Sequence, residues 1–152
     1  MRSVADVCIP SSAGVGKLNL LCSLNLAGKA AGSYSVSMQL DISKLNTLQI
    51  IFNNMTSTGS TVCNYKLALG GNNIVDERAS NNNYESGCCH VLIFPLAIRT
   101  EALGLCYTHY SSTNGAADYS DALKVNLPTS GATWTITLSS AIATGKLEIY
   151  GA

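Results

Sequence analysis

Charge is what this sequence has least of. Asp, Glu, Lys and Arg make up 12% of its 152 residues, about half the roughly 25% of an ordinary soluble domain. Nine basic and nine acidic residues cancel, with no run of one sign. Phosphate backbones need clustered Lys and Arg, so no nucleic-acid partner is expected. Long apolar runs are missing too. The stretches Leu18 to Leu26 and Val91 to Ile98 fall far short of the ~20 residues of a spanning helix, and no membrane role is expected. No apolar block follows Arg2, so a secretory signal is not read and synthesis in the cytoplasm is the expectation. Helical periodicity is scarce, and no solenoid-length repeat stands out.

The missing charge is replaced by 18 Ser, 12 Thr and 13 Asn. Such a surface hydrates through hydroxyls and amides, and few ions must lose water when it is covered. It suits packing against other protein, or hydrogen bonding to sugars. Six cysteines stand at Cys8, Cys22, Cys63, Cys88, Cys89 and Cys106. Without an export signal they are expected as reduced thiols, Cys22 and Cys63 on apolar strand faces.

Period-two alternation is the dominant pattern. Leu18, Leu20, Cys22, Leu24 and Leu26 share one face of a first strand; Tyr34, Val36, Met38, Leu40 and Ile42 share one face of a second. Further strands are expected over Thr47 to Phe52, Val62 to Leu69, His90 to Ile98, Leu103 to Tyr110, Ala122 to Leu127, Thr133 to Leu138 and Lys146 to Tyr150. Gly, Ser, Thr and Asn clusters separate them, among them Gly70 to Asn73, Ser111 to Ala116 and Ser139 to Gly145. Pro95 cannot donate to a ladder, so its strand is expected to be an edge or bulged there. About nine short strands with turns between them predict an all-β fold, an antiparallel sandwich of jelly-roll type. The body is read as residues 17–152. Residues 1–16, with Val4, Val7, Ile9 and Pro10 before a Ser/Gly hinge, read as an extended arm that contacts a partner. Asp76 to Gly87 is read as the longest polar loop, and its Asn81, Asn82, Asn83 and Tyr84 are the candidate loop contacts.

Chemistry-bearing constellations are few. Ser12 to Lys17 misses the phosphate-loop pattern at Ser11 and Leu18, and a strand follows rather than a helix. Cys88, Cys89, His90, Cys106 and His109 offer soft metal ligands on two successive strands. Alternation sends Cys88 and Cys89 to opposite faces, and likewise Cys106 and His109, so no metal site, catalytic pair or cofactor is expected. Asp118 and Asp121 are the closest acids outside Asp76-Glu77, in a segment the pattern leaves open. Trp134, alternating with Ile136 and Leu138, is read as core rather than a sugar platform. Asn54-Met55-Thr56 fits the glycosylation acceptor pattern and is read as accidental. The chain is not expected to be an enzyme.

Two stretches carry a resemblance. Asp41-Ile42-Ser43-Lys44-Leu45-Asn46-Thr47-Leu48-Gln49-Ile50 resembles a strand-turn-strand of tailed-bacteriophage virion proteins with jelly-roll or sandwich domains. Ala132 to Leu138 with Gly145 to Gly151 looks like their closing hairpin. The resemblance implies a structural protein on the capsid surface, of the head decoration or cement type. It would bind the major capsid protein or other virion proteins as a homo-oligomer, a trimer rather than a dimer. The alternative is a carbohydrate- or receptor-binding module, such as a tail fibre or adhesin tip.

Overall fold

The computed structural model describes residues 2–3, 18–36, 45–58, 62–79, 86–95, 101–112, 115–126 and 133–152, with side chains for 18–36, 45–58, 62–76, 122 and 133–152. The two-residue rhythm becomes strand throughout these stretches. In order they are β1 (Arg2–Ser3), β2 (Asn19–Asn25), β3 (Gly32–Val36), β4 (Leu48–Ser57), β5 (Cys63–Leu69) and β6 (Asn72–Ala79). Then follow β7 (Ser86–Pro95), β8 (Glu101–Ser112), β9 (Gly115–Asn126), β10 (Trp134–Leu138) and β11 (Ile142–Gly151). No helix occurs among the described residues.

The strands form two sheets, ordered β1-β3-β10-β5-β6 and β2-β11-β4-β7-β8-β9. Every pairing is antiparallel except the two-residue parallel pairing of β1 with β3. The chain alternates between sheets from β2 to β5 and from β9 to β11. Four strands β2-β11-β4-β7 thus stand against four strands β3-β10-β5-β6, which is the winding order of a jelly roll. The β8–β9 hairpin widens the first of these sheets. The expected antiparallel jelly-roll sandwich is the fold observed.

Inward positions from both sheets form one core. Trp134, Ile136 and Leu138 on β10 meet Tyr65, Leu67 and Leu69 on β5, and Leu24, Ile50, Phe52, Leu147 and Ile149 from the opposite sheet. The Phe52 and Tyr65 rings lie 4.9 Å apart across the sandwich, tilted by 42°. Burying each such side chain contributes about 1.5–3 kcal/mol. Tyr34 is buried with its hydroxyl donating to the Ala30 carbonyl at 2.7 Å, so its polar end is satisfied. Trp134 is core, as its alternation predicts.

Bulges account for the largest departure from the sequence pattern. On β2, Ile149 pairs with Cys22 but Tyr150 pairs with Leu20, which leaves Leu21 as an extra residue. One inserted residue reverses the faces beyond it. Cys22, Leu24 and Leu26 are buried, whereas Leu18 and Leu20, expected in the core, are 44% and 38% exposed. Leu21 packs on the core instead, with Leu45. Gly151 makes this possible, because a Cβ there would lie 2.6 Å from a Leu21 methyl.

Other boundaries moved for local reasons. β6 occupies sequence read as a turn and the start of a polar loop. Gly70 and Gly71 have φ of 57° and 87°, the two positive values of a tight two-residue hairpin. β6 therefore follows β5 at once, with Leu69 paired to Asn72. A register shift opposite Leu67 and Ala68 lets adjacent Ile74 and Val75 both be buried. β4 runs on to Ser57 through a bulge where Asn54 takes φ 51°, and β11 starts already at Ile142. β7 is neither an edge nor bulged at Pro95. It lies between β4 and β8, and Pro95 ends it beyond the last β4 pair, Leu48 with Ile93.

Candidate interaction surface

The outward side of the five-stranded sheet is a hydroxyl ladder. Ser33 on β3 faces Thr137 on β10, their side-chain oxygens 3.1 Å apart. Ser35 pairs with Thr135 in the next row, and with Ser3 of β1 on its other side. The Ser35 hydroxyl is buried without a hydrogen-bond partner among the described residues. An unsatisfied buried hydroxyl costs about 1–3 kcal/mol. Further along, Lys66 and Asp76 form an ion pair at 2.7 Å with both side chains about half exposed. An exposed pair of this kind adds about 0–1 kcal/mol. What it does is neutralise these two charges; Arg78, registered opposite Asn64, stands on the same outward side.

The other sheet shows a different outward side. Leu18 and Leu20 are exposed there beside half-buried Gln49, Ile51 and Tyr150. Lys146 and Glu148 pair on β11. The Glu148 hydrogen bond holds the Lys146 ammonium above its ordinary range. Desolvation, then the Glu148 charge, pushes the Tyr150 phenol up as well. The folded chain therefore holds these two protons more tightly than the unfolded chain. Their contribution to stability is present at neutral pH and is lost as pH rises through the folded values, above about 10. Urea midpoints should fall on titration from pH 9 to 11, and fall less in Glu148→Gln; equal slopes would remove this account.

The candidate site residues divide simply. Val4, Val7, Ile9 and Pro10 of the arm lie outside the described residues, and so do Asn81, Asn82, Asn83 and Tyr84. Two ends of the polar loop are strand: Asp76 to Ala79 belong to β6, and Ser86 and Gly87 begin β7. The start of the arm is also strand, since Arg2 and Ser3 pair with Tyr34 and Ser35. Cys22 and Cys63 are buried thiols of the core, and Cys63 donates to the Ser140 carbonyl at 3.2 Å. Among residues with described side chains, no three His, Cys, Asp or Glu groups lie together. No helix among the described residues is long and apolar enough to cross a membrane.

No protein-family model matches the chain, and no curated protein matches it. Among solved structures it is similar to an insecticidal delta-endotoxin of Bacillus thuringiensis, at 9% identity and a TM-score of 0.37. That alignment takes in 86% of this chain and 19% of the toxin chain, and a likeness at this level carries no functional argument.

Proposed function

We propose that the chain is a non-enzymatic structural protein of a virus particle, a jelly-roll unit that binds between capsid subunits of a phage shell. The observation that supports this reading most is the pair of outward sheet sides. One is a Ser/Thr ladder that carries the Lys66–Asp76 ion pair; the other exposes Leu18 and Leu20. Covering such surfaces strips few ions of water, and the leucines gain from burial.

The resemblance in the Asp41 to Ile50 and Ala132 to Gly151 stretches supplies the setting. Residues 1–16 serve as the element that reaches a neighbour. Their first residues, Arg2 and Ser3, pair with β3 of the same chain. In an assembly a neighbour's arm would take the place of β1 beside β3, through main-chain hydrogen bonds. The chain is accordingly a homo-oligomer, with a trimer favoured.

Mass spectrometry of purified particles of the encoding virus should find the chain at a fixed ratio to the major shell protein. Deleting residues 1–16 should abolish particle binding while far-ultraviolet circular dichroism still reports sheet. Absence from purified particles would sink the reading. A glycan-array hit that Asn82→Ala and Tyr84→Ala erase would replace it with a carbohydrate-binding role.

A further inference from the structure

Both histidines of the chain, one cysteine and one aspartate meet on the β7-β8-β9 sheet through its register. Cys88 pairs with His109, and His109 pairs with Asp118. His90 stands two residues along from Cys88 and pairs with Tyr107, which pairs with Ser120. Positions directly opposite, or two apart on one strand, share a face. All four residues therefore belong to one side of the sheet.

That side is the outward one. On β4, Ile50 and Phe52 are fully buried, while Gln49 and Ile51 are only half-buried. His90 pairs with Ile51, and Leu92 with Gln49. The row Gln49, Leu92, Leu105, Ala122 ends on an exposed alanine. Cys89 and Cys106 fall at the alternate, inward positions, opposite Thr108 and Val91.

We infer that Cys88, His90 and His109 form a zinc site on the outward face of the six-stranded sheet, with Asp118 orienting His109. Spacing decides which residues are ligands. Opposite positions lie about 4.5–5.5 Å apart between Cβ atoms, and diagonal ones about 7–8 Å. One ion with bonds of about 2.0–2.3 Å is within reach of a thiolate and two imidazoles placed so. Asp118 stands two strand spacings from Cys88, about 9.6 Å. One ion cannot take both a carboxylate and a thiolate that short across such a gap. Asp118 is instead registered directly opposite His109, the place of the hydrogen-bonding partner that zinc-bound imidazoles require. One thiolate and two imidazoles suit zinc, and three protein ligands leave its fourth tetrahedral position to water. On binding, the Cys88 thiol gives its proton to solvent as the Zn–S bond forms.

Purified full-length protein is tested with zinc, then with cobalt. After zinc loading and dialysis, elemental analysis should find one zinc per chain. Cobalt in its place should give a thiolate-to-cobalt charge-transfer band. Cys88→Ser should remove the band, and His90→Ala or His109→Ala should abolish retention. Cys89→Ala and Cys106→Ala should leave both. Asp118→Asn should weaken zinc binding by about 10- to 100-fold. Circular dichroism on each variant separates loss of the site from loss of the fold. A wild-type chain that keeps no zinc overturns the inference, as does a cobalt band that survives in folded Cys88→Ser.

Discussion

Replacing Trp134 with alanine should lower the unfolding free energy by about 3–5 kcal/mol. Trp134 is 1% exposed, the largest of the fully buried side chains, and starts β10 between Val36 of β3 and Leu69 of β5. Truncation removes the indole's transfer energy and leaves a cavity that pinned sheet backbones on both sides cannot close. A domain of this kind has about 5–15 kcal/mol in total, so the variant should lose a large share of it. Trp134 is also the only tryptophan, so unfolding in urea must be followed by circular dichroism rather than indole fluorescence. Trp134→Phe should recover part of the loss. A loss below about 1 kcal/mol would show that the core does not close around this ring.

Ile149→Lys should abolish folding, while Tyr150→Lys beside it should remain folded. Ile149 is fully buried and pairs with Cys22 on one side and Ile50 on the other. An ammonium there would lose its water with no partner carboxylate, which costs more than the chain has to spare. Tyr150 points the other way, half-buried beside Glu148, and its replacement should cost about 1 kcal/mol. Soluble yield and thermal melts of the two variants test the register of β11 directly. If Tyr150→Lys were the damaging change, the bulge at Leu21 would be misplaced.

The fold class was legible because alternation survives over long parts of several strands. Ser33 to Val36, Cys63 to Leu69 and Trp134 to Leu138 each present oily and polar residues in turn, and each is strand. What alternation cannot show is an inserted residue. The Leu18, Leu20, Cys22 series reads as one face, yet Leu21 breaks it by a single position. β6 was hidden because its charges and asparagines depress strand propensity. Gly70-Gly71 was the available clue, since a glycine pair directly after a strand signals a two-residue hairpin. The zinc residues were hidden for another reason. Along the chain, Cys88 and His90 stand two apart on one face, but nothing in the spacing brings His109 to them. The neighbours in space are Cys88 and His109, and only the β7–β8 register relates them.

The two strands latest in the chain lie inside both sheets. β11 separates β2 from β4, and β10 separates β3 from β5. Neither layer can zip up from the front of the polypeptide, because the seam in each waits for Trp134 to Gly151. Joining Cys22 to Ile149 closes almost the whole chain into one loop, an entropic toll exacted before any reward. Assembly of the native state should therefore be slow, on the millisecond-to-second scale of non-local β folds, and reach completion only once β10 and β11 have been synthesised.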